Sequence, residues 1–363
     1  MPGPFTALVE ETAARGTTPG TGLKFPPLSG KPEPSPDFKD VPRDEFRGQS
    51  SRLGNVTVLR QSSAWAHALE GALYPIDIMG TLFKHALGFA GVRAVVDTTG
   101  YKGIVYPPEA FHYGPGGNLE GKAVGVIPNT DIDGVIKSQV FGGGRIKGFK
   151  LESKRPDDVK VTFDVIGGPW IGAPGQTATA GASFTSLKPF NSADLICYSG
   201  TGITRTGVGP DFTDIAPGDM VPFVPDSLTL TWDSNIGDED VSDGLRGPAK
   251  TEVKGQAKAT LEFTMDFSDP LTGFSSYDEW AALHSGPRQA NFLFKWTGPD
   301  LAGSLTELHK LLADLPAMNM IGSPPERDNS GKTPKMKFKY ESLFDPTCKY
   351  PIALMIVDKA SAY

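Results

Sequence analysis

Five histidines, two cysteines and an acidic loop supply the residue types in this 363-residue chain that could bind a metal or move a proton. Histidine is the commonest metal ligand and the side chain that titrates near neutrality. None of His67, His85, His112, His284 and His309 stands beside a second His or a Cys at ligand spacing. His85 falls near the end of a predicted helix, where a cation is favoured. Cys197 and Cys348 lie far apart and give neither a disulfide framework nor a zinc spacing, so they read as two free, buried thiols. Asp238-Glu239-Asp240 reads as solvated loop charge, with a weak cation site or a surface facing an anionic cargo as alternatives. The sequence holds no G-x-S-x-G elbow, H-E-x-x-H helix, P-loop, EF-hand loop or dinucleotide fingerprint. Gly142-Gly143-Gly144 lacks a third glycine at the required offset and reads as the approach to a strand, and Gly200-Thr201-Gly202 sits in a loop region. No catalytic residue, metal ligand or cofactor is assigned, and the chain reads as a non-enzyme.

The elements that position these residues are mostly strands. Val159, Val161, Phe163 and Val165 alternate with Lys160, Thr162 and Asp164, a period of two that marks one dry and one wet face. Arg155-Pro156-Asp157-Asp158 turns this strand back from a first one, Arg145–Lys154. That first strand changes parity between Ile146 and Phe149, and Gly148 between them predicts a bulge. The same design returns at Leu228, Leu230 and Trp232, and again from Ala257 to Phe267, roughly 35 Å if straight. Pro75–Leu87 is the best helix: Pro75 suits its first position, Asp77 its positive end and Gly88 a left-handed stop. Its apolar stripe is Ile76, Met79, Leu82, Phe83 and Ala86.

The remaining organisation follows from composition. Residues 1–50 form an arm rich in Pro and Gly, read either as a disordered tail or as a segment that orders on a neighbouring subunit. Residues 51–363 form the β domain, with short strands at Val56–Arg60, Val92–Thr98, Gly103–Tyr106 and Ala123–Ile127. A loop-rich excursion spans 169–225 and contains one short strand, Asp194–Tyr198. A helical turn near Tyr277–Leu283, a strand Asn291–Trp296 and an amphipathic helix around Leu301–Leu312 follow. Two closing strands run through Met336, Phe338 and Tyr340 and through Ile352–Val357. The net charge of −7 disfavours stable nucleic-acid binding. No charged start leads into an apolar leader, and no apolar run is long enough to span a membrane.

Taken in order, these pieces resemble the tail tube proteins, or major tail proteins, of long-tailed bacteriophages and phage-like gene-transfer particles. The stretches that carry the resemblance are DEFRG in the arm, YPIDIMGTLFKHALG at the helix and GRIKGFKLESKRPDDVKVTFDVIGGPW at the hairpin. DSLTLTWDSNIGDED, KGQAKATLEFTMDF, PKMKFKYESLFD and PIALMIVD carry it through the second half. The hairpin is similar to the family's central one, with its closing Phe-x-x-x-Gly phrase at Phe163–Gly167.

The resemblance implies an antiparallel β-sandwich or barrel of the tail tube type with one or two flanking helices. It implies self-assembly into hexameric rings stacked as a tube in the virion, assembled in the bacterial cytoplasm. Tape-measure protein, a tail terminator or connector and a distal tail protein are the implied partners, with DNA in transient passage. On this reading the wet face of the Ala257–Phe267 strand, namely Lys258, Thr260, Glu262, Thr264 and Asp266, would line the lumen, with outer placement as the alternative. A polar, net negative lining would let DNA slide, because each neutralised phosphate adds affinity. The other reading is a carbohydrate-binding or adhesin-like β-sandwich, whose sign would be a row of exposed aromatics.

Overall fold

The computed structural model describes residues 5–11, 23–24, 35–41, 59–75, 77–96, 100–108, 123–132, 135–138, 140–167, 170–171, 188–239, 250–253, 255–268, 273–285, 289–301, 308–321, 327–328 and 334–361. In chain order the first elements are β1 (Phe5–Glu11), β2 (Leu23–Lys24), β3 (Ser35–Val41), β4 (Leu59–Ala72) and helix α1 (Asp77–Leu87). Then come β5 (Phe89–Ala90), β6 (Ala94–Val95), β7 (Tyr101–Tyr106), β8 (Ala123–Ile132), β9 (Val135–Ser138), β10 (Val140–Lys154), β11 (Lys160–Gly167) and β12 (Trp170–Ile171). The middle holds β13 (Leu195–Ser199), β14 (Thr204–Thr206), β15 (Asp214–Ala216), β16 (Val221–Phe223), β17 (Ser227–Asp233), β18 (Ile236–Glu239), β19 (Lys250–Val253) and β20 (Lys258–Asp266). The chain closes with α2 (Ser276–Ser285), β21 (Gln289–Asp300), β22 (Leu308–Met320), β23 (Arg327–Asp328), β24 (Lys335–Ser342) and β25 (Ala353–Asp358). Mainly antiparallel β is therefore the fold class.

Antiparallel strands make the first layer. β3, β4, β11, β10, β17, β20 and β24 pair side by side in that order. Both alternating runs predicted from the sequence thus lie in one sheet, with β17 joining β10 to β20. The β10–β11 turn closes with Asp157 N–H donating to the Lys154 carbonyl at 2.8 Å. The expected bulge is present, since the β10–β11 register shifts between Ile146 and Gly148. A Cβ on Gly148 would stand 2.2 Å from the Trp232 carbonyl oxygen, so the bulge brings the backbones of β10 and β17 close enough to demand glycine. Before and into its Gly142-Gly143-Gly144 run, β10 leaves this layer for a separate small group of strands, pairing there with β8 and β12. Those glycines therefore lie inside a bent strand rather than ahead of one, and Gly143 has φ 68°.

The second layer runs β16, β13, β21, β22, β25 and β7, with β5 and β6 both on the far side of β7. β22 also pairs with β24, which joins the two layers. Between them lies an aromatic core. Phe263 meets Phe292 at 5.8 Å between ring centroids, and Phe292 meets Tyr340 at 5.0 Å. Helix α1 is part of that core rather than a flanking element. Phe83 packs edge-on to Phe149 at 5.1 Å, and the Ala86 carbonyl accepts the Trp232 indole N–H at 2.9 Å. Met79, Leu82, Phe83 and Ala86 are buried as predicted; Lys84 and His85, on the remaining side, are buried too. Gly88 has φ 106° and its N–H closes the helix on the Lys84 carbonyl. Ile76 lies outside the described residues.

Two sequence expectations give way here. Residues 308–312, expected as the end of an amphipathic helix, form the start of strand β22, which runs to Met320. From Leu311 to Pro316 this strand is buried on both faces, so no alternation marks it as a strand. Pro316 falls where the β21–β22 register shifts, between the pairs Ala290–Met318 and Phe292–Leu315, a position that needs no ladder N–H. The described part of the 169–225 excursion is likewise folded. It holds β12 to β16, and Phe212, Ile215 and Met220 cover the outer face of the second layer over Leu293, Leu312 and Met355. Within residues 1–50, β1 pairs with β8 and β3 with β4, with Pro36 beside the β3 register shift. The strand expected from Val56 is described from Leu59 and runs on to Ala72. Within the strand expected at Val92–Thr98 the described residues form only the short β6, and β5 precedes it.

Candidate functional site

The surface singled out by sequence is the outward face of β20. Ala259, Leu261, Phe263 and Met265 point into the core, which turns Lys258, Thr260, Glu262, Thr264 and Asp266 outward. Because the sheet is in register on both sides, these residues continue as rows across neighbouring strands. Glu262 stands between Thr229 and Lys339, and that row extends through Glu152 and Lys160. Thr260 stands between Thr231 and Glu341, with Lys150, Thr162 and Glu70 beyond. Lys258 faces Asp233, Thr264 lies between Ser227 and Lys337, and Asp266 faces Lys335.

Ion pairs knit the rows together. Glu262 receives Lys337 at 2.7 Å and Lys339 at 2.9 Å. Those two hydrogen bonds, Lys337 first, hold its carboxyl below the usual glutamate range. Lys258 pairs with Glu341 at 3.1 Å, Lys335 with Asp226 at 2.7 Å and Lys150 with Glu152 at 2.7 Å. The bond to Asp226 raises the Lys335 ammonium above its ordinary value. Exposed pairs of this kind add little stability, but they fix the sign of the surface. β20 alone carries an excess of carboxylate, and the lysines of β24 cancel it. The face is a neutral mosaic rather than the net negative lining expected from the sequence.

The other residues considered for chemistry are dispersed. His67, His85 and His309 are buried at separate places, and burial lowers the His67 ring below its ordinary pKa. His112 and the His284 side chain lie outside the described residues, as do the side chains of Asp238-Glu239-Asp240. Among the described residues no three His, Cys, Asp or Glu side chains come together as metal ligands would. Cys197 and Cys348 are free and buried, as read from the sequence. Burial pushes the Cys197 thiol well up and that of Cys348 to about 12. Gly200 and Gly202 let that loop press against residues 219–220, since a Cβ on Gly202 would meet Asp219 at 2.9 Å.

Sequence reasoning missed a buried polar clasp on the outer face of the second sheet. Asp314 on β22 accepts two hydrogen bonds from Arg205 on β14 and one, at 2.7 Å, from the Tyr350 hydroxyl. Burial, then the neighbouring Asp314 carboxylate, raises the Tyr350 hydroxyl pKa. A second clasp holds the loop after β5, where Arg93 pairs with Asp358 at 2.8 Å. Both join residues distant in sequence with no periodic signature, so no local pattern announces them.

No family model matches this chain, and neither does any curated protein. Among the described residues no helix is long and apolar enough to cross a membrane.

Proposed function

We propose that this chain is a structural subunit that assembles into stacked, hexameric rings and forms a tail tube for DNA delivery. The observation that supports this best is the broad outward face from β4 to β24, built on in-register strands and balanced in charge. A channel wall for DNA must be polar and offer no array of free cations, because every neutralised phosphate would add adhesion. On this face the lysines of β24 are already held by Glu262 and Asp226, and Lys258 of β20 by Glu341. In this role Lys258, Thr260, Glu262, Thr264 and Asp266 face the lumen. The tape-measure protein, the terminator or connector and the distal tail protein are the further partners, and the virion is the location.

A sugar-binding sandwich would instead use exposed aromatic rings. Trp232 and Trp296 are in the core, and Trp280 packs against Phe267 and Tyr277. Negative-stain microscopy of the purified protein tests the proposal: filaments with a central hole and a regular axial repeat are expected. Monodisperse globules at every concentration would reject it.

A further inference from the structure

Strand β4 changes its situation at one residue. Up to Ala66 it is flanked on both sides, by β11 and by β3, whose ladder ends with Ser35 opposite Ala66. From His67 to Ala72 the described strands pair it with β11 alone, so there β4 is the margin of the first layer. His67 has the parity of Leu69 and stands in an inward row with Val165 and Ile146. It is 9% exposed, and its Nε2 is buried with no hydrogen-bond partner among the described residues. Buried polar atoms are almost always paired in folded proteins, so this orphan marks a position under constraint.

Among the described residues no charge faces the ring. Val165 and Ile146 in its row are apolar, and β12, which packs against β4, consists of Trp170 and Ile171, neither of which titrates. The charged residues of β4, β11 and the start of β10 have the other parity. Arg145 stands in the row of Ile166 and Ala66, Asp164 opposite Ala68, Glu70 opposite Thr162 and Lys160 opposite Ala72, all on the outward face. Lys147 lies in the bulge and acts on Asp164. On β3, Asp37, Lys39 and Asp40 follow Ser35 and run alongside β4 before Ala66, away from His67. Burial alone lowers the pKa of the ring from 6.5.

We propose that His67 is an acid-sensitive latch on this margin: the neutral ring holds β4 against the core, and its protonation lifts the margin, undoes the Ser35–Ala66 end of the β3 ladder and bares an edge of β4. The protonated imidazole carries an N–H on both nitrogens, so a charge and a donor at Nε2 would be buried without an acceptor. Beyond Ala66 only β11 holds β4, so a local lift of the margin brings the ring to water while the rest of the sheet stays folded. The closed form takes up the proton less readily than the open form, whose ring titrates near 6.5. Opening is therefore independent of pH above that value. Below it, the opening equilibrium rises by up to about tenfold per pH unit until the lower value of the closed form is reached. A bared edge is a template for another strand, so acid turns a covered margin into one that accepts a strand. Glu262 responds only below its ordinary 4.5, which keeps the two windows apart.

Amide hydrogen exchange across β4 tests the latch, with the wild type and His67→Leu compared at each pH from about 8 to about 5, so that the intrinsic pH dependence of exchange cancels. Relative to the variant, wild-type residues 59–66 should lose protection as pH falls below 6.5, by up to about tenfold per unit. The amides of β20, flanked by β17 and β24, should keep theirs. His67→Gln, polar but without a titration, is the second comparison should the leucine variant fail to fold. A ratio between wild type and variant that stays constant over this range overturns the latch. So does protection lost from β4 and β20 together, which is global unfolding.

Discussion

Arg205 forks onto Asp314 across the outer face of the second sheet, with Nε donating to Oδ2 at 2.7 Å and Nη2 to Oδ1 at 2.8 Å. Asp314 is 0% exposed, so this pair ties the folded excursion to the middle of β22. Arg205→Leu leaves a buried carboxylate held by the Tyr350 hydroxyl but with no cation beside it, and should cost about 3–5 kcal/mol. Replacing Asp314 by Leu in the same chain removes the stranded charge and should recover much of that loss. Urea unfolding of the single and double variants measures both. A double variant as unstable as the single one would show that the clasp does not act as a pair.

Gly148 should be equally intolerant for a steric reason. A side chain there meets the Trp232 carbonyl, which is backbone and cannot swing aside. Gly148→Ala is expected to lower stability by roughly 1–3 kcal/mol through overpacking. A thermal melt reads this directly, and an unchanged midpoint would mean that β10 and β17 separate freely at the bulge.

Strands with one wet face were legible in the sequence through their parity, whereas β25 was legible only as an apolar run and β22 was mistaken for a helix, for one physical reason. In β11, β17, β20 and β24 water meets alternate residues, so Lys160, Thr231, Glu262 and Lys337 interrupt the apolar pattern at every second position. β22 and β25 are covered by the aromatic core on one side and by the excursion on the other. Ala353–Asp358 is buried without a break, and Leu311–Pro316 likewise, so the period of two vanishes. The facing of Lys258 to Asp266 followed from parity alone. Their cancellation by Lys335, Lys337 and Lys339 depended on which strand lies beside β20, which parity does not encode.

The Glu262 pairing should give the fold a small acid dependence. Its folded-state pKa lies below the ordinary value of 4.5, so the pairing contributes fully above that pH. The contribution fades as pH falls through the lower folded value. Glu262→Gln should therefore cost a few tenths to about 1 kcal/mol at neutral pH. Its melting temperature should converge on that of the wild type in acid. A gap that persists unchanged into strong acid would assign the loss to packing.

Residues 5–11 and 35–41 cover the margins of β8 and β4. Removing residues 1–41 uncovers both as unpaired edges, which invite unspecific pairing between chains. The truncated chain should melt at lower temperature and aggregate, as read by light scattering during a thermal ramp. A truncated chain as stable and monodisperse as the full one would mean that these pairings contribute nothing.

The balanced face makes a prediction about DNA that bulk charge does not. Glu262→Lys with Asp266→Lys removes the partners that hold Lys337 and Lys339 and reverses the charge facing Lys335. Lys258, Lys335, Lys337 and Lys339 then join the new lysines in one basic patch, although the chain as a whole stays acidic. The variant should bind duplex DNA without sequence preference, with Kd on the order of 10⁻⁴–10⁻⁶ M at physiological salt. Binding should weaken steeply with salt, by a log–log slope of about −0.9 for each phosphate engaged. Fluorescence anisotropy against a labelled duplex, with the wild type alongside, provides the measurement. Gain of binding in the variant alone means that local pairing, not net charge, keeps this face from holding DNA. Equal binding by the wild type would disqualify the face as a surface along which DNA slides.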